Sequence, residues 1–298
     1  MRSSCAESIS ATGQSSRPAR SCGRTCRRTR SSPATRRPSS ARPAAKPAPA
    51  AAIGKHSPLS NVSPHLSDLY EDYYQPDPFE DLKRDLAARD SVDQIVRLGG
   101  SNLGRTLDVG AGEGAVSTEI DRRGLASEIV AVEISKAGIA RILDRKLPSL
   151  RSAELFDGYK LPFPDRSFDT AVCAHVIEHV EHERLFLREV ARVAKHLYLV
   201  APLEGGARGR VYRGMGHINY YHPMTLINLL ETSGFSVAAH DVYPSSTAYE
   251  RHISGRPIGT AKSLIRKTVR KLFGYKASHM MTYVMVISAA AEQVSGPN

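Results

Sequence analysis

Residues able to do chemistry fall in three places. The first is Asp108-Val109-Gly110-Ala111-Gly112-Glu113-Gly114, three glycines at alternate positions behind a short apolar run. Lacking Cβ atoms, such glycines admit positive φ and let a ligand lie against bare backbone. A helix start behind them offers free N–H groups to polar ligand atoms. The second is Glu133, which ends an apolar run and lies 23 residues after Gly110. A carboxylate there can take both hydroxyls of a ribose. Gly110, Gly112 and Ala115 also satisfy the dinucleotide pattern G-x-G-x-x-G/A, so these two segments leave the cofactor open, and a glycine turn without a ligand stays possible. The third is His175-Val176-Ile177-Glu178-His179, with His217, Tyr221 and His222 further on. Its H-x-x-E-H spacing occurs in zinc peptidases, but here the run begins at a strand end, which is the wrong context.

The elements that must position these residues alternate. The spacing predicts strands at 105–109, 128–132, 153–156, 169–173 and 196–201, and helices at 114–123, 135–146 and 179–193. Strands separated by helices imply a parallel sheet with right-handed crossovers, whose ligands bind beyond the carboxyl ends of the strands. Gly110, Glu133, Asp157 and His175 fall at those ends. Before the sheet, Leu66, Leu69 and Tyr73 suit a short helix. Asp77-Pro78 breaks it, and Phe79 to Leu98 resumes until Gly99-Gly100. After Pro202, Leu203 to Gly216 reads as a mobile loop, followed by a helix from Met224 to Ser233 and strands at 235–242 and 281–290. Residues 243–278 read as an insertion with a basic amphipathic helix. Ile258, Ala261, Leu264, Ile265, Val269, Leu272 and Phe273 share one face, and Lys262, Arg266, Lys267, Arg270 and Lys271 occupy the rest. Such a helix either docks its stripe on its own domain or lids the acceptor site and touches anionic lipid at a membrane surface.

The segment Asp157-Gly158-Tyr159-Lys160-Leu161-Pro162-Phe163-Pro164-Asp165-Arg166-Ser167-Phe168-Asp169, followed by His175-Val176-Ile177-Glu178-His179, separates the cofactors. Here the sequence resembles the class I S-adenosylmethionine-dependent methyltransferases, in the broad group acting on small molecules and glycans. The resemblance covers residues 90 to 240. It implies an α/β fold, a Rossmann-like doubly wound sheet that is mostly parallel with an antiparallel final strand and helices on both faces. It implies S-adenosylmethionine as cofactor. Gly110, Gly112 and Gly114 would lie against its methionine part, with Asp108 orienting that turn. Glu133 would take the ribose, Ile134 the adenine face, and Asp157 with Gly158 the adenine edge. Tyr159-Lys160 stands where the family often has a second acid. His175 would face the reacting centre. The implied reaction is O-methylation of a small molecule or glycan, with His175, His217 or His222 as candidate base, since histidine titrates near working pH. Terminal-nucleotide RNA 2′-O-methyltransferases also resemble the Glu178-His179 run and bind a divalent metal through it and a later histidine. Here His175 replaces their first acid, so no metal is assigned, and metal-assisted RNA methylation is an alternative. A non-catalytic scaffold is another.

Composition bounds the rest. The chain has 298 residues and a formal charge of +11, but 12 of its Lys and Arg lie in residues 1–55 against the single acid Glu7. The remainder carries 29 bases and 29 acids. The basic character belongs to a tail, and the neutral remainder does not point to nucleic acid. Residues 1–55, rich in Ser, Arg, Pro and Ala, are expected to be disordered. They read as an upstream extension from a misplaced start, a transit peptide, or a basic arm. The domains expected are this tail, a helical cap at 56–100 and a methyltransferase domain at 101–298. Cys5, Cys22, Cys26 and Cys173 make no disulfide framework and fit a reducing cytoplasm. No apolar run is long enough to span a membrane.

Overall fold

The computed structural model describes residues 70–203, 216–274, 276, 281 and 283–292. The tail 1–55, residues 56–69 of the cap, and 204–215 of the expected loop lie outside the described residues.

Residues 70–73 are helical. Helix α1, Pro78–Arg97, starts by a clear local rule. Asp77 caps it, its Oδ1 accepting from the amides of Phe79 (2.8 Å) and Glu80 (3.1 Å), with Pro78 in the first turn. The chain then runs β1 (Gly104–Val109), α2 (Ala115–Arg122), β2 (Ala126–Glu133), α3 (Lys136–Asp144), β3 (Leu150–Leu155) and β4 (Phe168–Ala174). A 3₁₀ turn (Ile177–His179), α4 (Glu183–Val193), β5 (Ala194–Leu203), α5 (Pro223–Glu231) and β6 (Phe235–Tyr243) follow. Helices α6 (Thr247–Ser254) and α7 (Arg256–Phe273) precede the last strand, β7 (Tyr283–Ala291).

The seven strands form one sheet in the order β3-β2-β1-β4-β5-β7-β6. β1 to β5 pair in parallel, and β7 runs antiparallel between β5 and β6. This is the Rossmann-like sheet expected. Alternate side chains feed two cores, because successive residues of a strand face opposite ways. Leu107, Val109, Ala171 and Cys173 pack under α4 and α5 with Phe186, Val190 and Leu226. Val172, Val200 and Ile129 pack on the other face with Val92 and Ile95 of α1 and Ile120 of α2. The order reverses between β1 and β4, which pair at Asp108 and Val172, so the loops leaving these two strands open side by side.

The insertion departs from expectation. It holds two helices, not one, and α7 docks through its small and basic residues. Gly259 and Ser263 are buried, and a Cβ at Gly259 would stand 2.2 Å from the Glu250 carbonyl oxygen, so α6 and α7 touch backbone to backbone. Arg266 pairs with Glu250 and Arg270 with Asp241. Of the apolar stripe, Val269 packs on the core, while Ile258, Leu264, Ile265, Leu272 and Phe273 are 50 to 70% exposed. Acids on α6 and β6 draw the arginines inward, and the stripe is left facing out.

Candidate active site

Two buried carboxylates frame the first part of the site. Glu133, at the end of β2, accepts from the amides of Gly112 (2.8 Å) and Ser135 (3.1 Å). Burial pushes its pKa up to about 7, with Asp108 adding to the rise and the amides opposing it. Asp108, in β1, accepts from the Ser117 hydroxyl of α2 at 2.6 Å, and burial raises its pKa to about 6. The turn between them needs its glycines. Gly110 and Gly112 have φ of +70° and +57°, and a Cβ on them would stand 2.5 Å from Val176 and 2.8 Å from the Tyr74 hydroxyl. Any side chain there would fill the space beside the turn.

The helical residues before α1 close over this turn. Tyr70 and Tyr74 stack with ring centres 5.9 Å apart. Between them, the Glu71 carboxylate accepts from the first amides of α3, those of Lys136 (2.7 Å) and Ala137 (3.0 Å). A second tie sits behind the glycines. Glu113, 1% exposed, pairs with Arg84 of α1 (3.0 Å), Arg141 of α3 (3.3 Å) and Arg145 (3.1 Å). The leading segment has two jobs: residues 70–74 cover the cleft, and α1 packs on the sheet. Val92 and Ile95 of α1 make that packing.

The third part is a histidine cluster beyond β4. His175 has φ of +59°, uncommon for a residue with a side chain and of a kind that gathers at functional sites. Its Nδ1 lies 3.6 Å from Oε1 of Glu178, which is 1% exposed. The other oxygen, Oε2, has no hydrogen-bond partner among the described residues. Burial works to raise the Glu178 pKa, but His175 and His179 outweigh it and hold it below the ordinary value. His179 is pushed down by burial and contacts the Gly216 carbonyl at 3.0 Å. The His217 ring stands edge-on to it, 4.7 Å away. Ligand atoms of Glu178, His179 and His217 all lie within 4.8 Å of one another, near enough to hold a cation.

One cavity of about 1190 Å³ joins all three parts. It brings together Asp108, Gly110, Gly112, Glu133, Ile134, Gly158, His175 and His217 of the residues predicted from sequence. Three predicted residues are not in its lining. Gly114 is the N-cap of α2 and faces Ile142 of α3. Asp157 turns its Oδ1 back to the amides of Tyr159 (2.9 Å) and Lys160 (2.6 Å), which closes the turn after β3. His222 caps α5, its Nδ1 accepting from the Met224 amide at 3.4 Å. Tyr221 is buried beneath the site, its hydroxyl on Glu183 Oε1 (2.8 Å) and the Ile177 carbonyl (3.0 Å). Sequence reasoning missed Tyr70, Tyr74 and Phe156, which also line the cavity.

Residues 107–197 match a family described as a methyltransferase domain. This segment of the chain is a methyltransferase domain, as the resemblance to S-adenosylmethionine-dependent methyltransferases implied. Over 106 residues it is 32% identical to the ubiquinone/menaquinone biosynthesis C-methyltransferase UbiE of Pseudomonas putida, spanning 34% of this chain and 41% of that relative. Two solved structures share the fold. Phosphoethanolamine N-methyltransferase 2 of Haemonchus contortus, in complex with S-adenosyl-L-methionine, superposes with a TM-score of 0.51 at 14% identity, covering 68% of this chain and 52% of that one. The [4+2]-cyclase SpnF superposes with 0.51 at 18% identity, covering 69% and 80%. A cyclase on the same frame shows why chemistry must be argued from the site. The methyltransferase cofactor is S-adenosylmethionine. The lining suits it: a turn that any Cβ would crowd, a buried carboxylate at the end of β2, and the aromatic rings of Tyr70, Tyr74 and Phe156.

Proposed function

We propose that the chain methylates a hydroxyl of a small molecule or glycan, with His175 as general base and His217 in the same histidine cluster. The observation that carries the reading is the single cavity in which the glycine turn and Glu133 give way directly to His175, Glu178 and His217. When bound, S-adenosylmethionine supplies an electrophilic sulfonium methyl. The work of the protein is to align an acceptor with that carbon and to take its proton. Glu133 and the Gly110–Gly112 turn hold the nucleoside and methionine ends. The buried Glu178 carboxylate, 3.6 Å from Nδ1, stands where it can orient the His175 ring. A carboxylate acceptor would need no such base, and this favours a hydroxyl. UbiE is named as a C-methyltransferase and the Haemonchus enzyme as an N-methyltransferase, so the atom methylated rests on this histidine alone.

Calorimetry with S-adenosylmethionine on wild type, Gly112→Val and Glu133→Ala tests the cofactor half. Unchanged affinity in both variants refutes it. A panel of hydroxylated acceptors with wild type and His175→Ala tests the chemical half. Methylation confined to amine or carbon acceptors refutes it.

A second reading, metal-assisted methylation of an RNA 2′-hydroxyl, is favoured by the Glu178, His179 and His217 cluster and by the burial that keeps His179 neutral, the form a metal needs. Turnover on RNA ends that chelator abolishes and Mn²⁺ restores would favour it. Full activity in chelator removes it.

A further inference from the structure

The outward face of α7 is the least expected surface of the molecule. At 100° per residue, the docked side is centred on Gly259, Ser263, Arg266 and Arg270. The opposite sector runs through Leu264, Ala261, Leu272, Ile265 and Ile258, with only Pro257 and Thr268 between. Leu264 is 66% exposed, Leu272 70% and Ile258 58%. Lys267 and Lys271 border this sector on one side and Lys262 on the other. Lys262 and Lys267 reach only neutral hydroxyls, those of Ser254 (2.9 Å) and Thr247 (3.0 Å). No acid pairs with these three lysines among the described residues.

Charge selects what covers this face. Residues 243–278 hold eight Lys and Arg against the single acid Glu250, and that acid is already taken by Arg266. An apolar sector with lysines along both borders matches an anionic lipid surface, where the lysine stems lie along the acyl boundary and their ammonium groups meet headgroups. An acidic protein partner would need no such width of aliphatic surface. The helix is also part of the cavity wall. Ile253 of α6 with Lys262 and Arg266 of α7 lines it, and Ile253 is itself 41% exposed. No helix among the described residues is long and apolar enough to cross a membrane.

We infer that α7 docks on anionic lipid through Ile258, Leu264, Ile265 and Leu272, and so sets the cavity wall it shares with α6 at the membrane interface. The inference does not depend on the acceptor proposed above. The full chain is sedimented with vesicles of phosphatidylcholine alone and with 30% phosphatidylglycerol, at low and high salt. The expected result is at least tenfold more protein bound to anionic vesicles at low salt. That gain falls to the phosphatidylcholine level in Lys262/Lys267/Lys271→Gln and in Leu264/Leu272→Ser. Both variants alter exposed residues, and their melting curves check that they fold. The chain has no tryptophan, so Leu272→Trp gives a single reporter. Its emission is expected to shift blue and be quenched by brominated anionic lipid. Unchanged emission, or equal pelleting of wild type and both variants, overturns the inference. So does a dimer in sedimentation velocity that Leu264/Leu272→Ser dissociates while vesicles bind nothing, since the face would then belong to a second copy. Loss of vesicle binding with methyl transfer intact leaves the proposed reaction untouched.

Discussion

The buried acid at the end of β2 makes cofactor affinity depend on pH in a way that can be worked out beforehand. In the role proposed above, Glu133 must be ionised to accept from ribose hydroxyls, yet burial lifts its pKa to about 7. The observed affinity is then divided by one plus the ratio of protonated to ionised enzyme. That divisor is about 11 at pH 6 and about 1.1 at pH 8 for a pKa near 7. Binding should therefore tighten roughly tenfold between these values, about 1.4 kcal/mol. Calorimetry with S-adenosylhomocysteine at pH 6, 7 and 8, each in two buffers of different ionisation heat, reads both the affinity and the protons released. At pH 6 close to one proton should leave per complex, and at pH 8 almost none. Glu133→Gln should bind more weakly and lose the slope. Asp108 titrates lower, at about 6, and adds to the rise of Glu133, so Asp108→Asn should keep the Glu133 slope and move it slightly to lower pH. A wild-type affinity flat within twofold from pH 6 to 8, or a tenfold slope persisting in Glu133→Gln, would refute the reasoning.

The same groups fix the stability of the ligand-free protein. Carboxylates raised in the fold contribute stability below their unfolded pKa that is lost as pH rises through the folded one. Thermal melts should therefore fall from pH 5 to 8, on the order of 3 kcal/mol for Glu133 taken from its ordinary 4.5 to about 7. Below about pH 4.5 the sign reverses, because the arginine-paired Glu119 and Asp81 are lowered in the fold and lose their contribution there. A melting temperature that climbs steadily from pH 5 to 8 would count against this. His175→Ala should cut turnover by about 10²- to 10⁴-fold and leave S-adenosylhomocysteine affinity within a few fold, as calorimetry and a methyl-transfer assay will read. His222→Ala should cost about 0.5 to 1 kcal/mol in a urea melt, as a lost helix cap, with turnover kept. A loss of turnover like that of His175→Ala would return His222 to the site.

The glycine turn and the acid beside it were legible because geometry leaves few choices. A strand that must turn sharply into a helix under a ligand needs Gly110 and Gly112, and the neighbouring parallel strand puts Glu133 beside them. Side chains with a local alternative take it in the structure. Asp157 and His222 each bond to backbone two residues ahead, and no spacing rule tells a turn-closing acid from a ligand. Gly114 follows the alternate-glycine rhythm but serves the packing of α2 on α3. Tyr70, Tyr74 and Glu71 reach the site across more than 30 residues of chain, and their one local signal is that Tyr70, Tyr73 and Tyr74 fall within one five-residue stretch ahead of a helix cap. On α7 the periodicity gave the faces correctly. Which face docks was decided by Glu250 and Asp241, one on a helix no periodicity had separated and one on the neighbouring strand.

The position of α6 and α7 in the chain has a consequence for how the protein varies. β6 and β7 are hydrogen-bonded neighbours, Tyr243 opposite Val284, and a two-residue hairpin would join them. The 39 residues between Tyr243 and Tyr283 are therefore not needed to complete the sheet. Closing so long a loop costs about 3 kcal/mol more than a hairpin, and the segment must offset that from its own contacts, such as Asp90 accepting from the Ser246 amide at 2.7 Å. A module that is anchored by its own bonds and enters and leaves through adjacent strands can be lengthened, shortened or exchanged while the cofactor half stays in register. Grafting it onto another enzyme of this frame, between the same two strands, is the simplest way to move its surface without moving its chemistry.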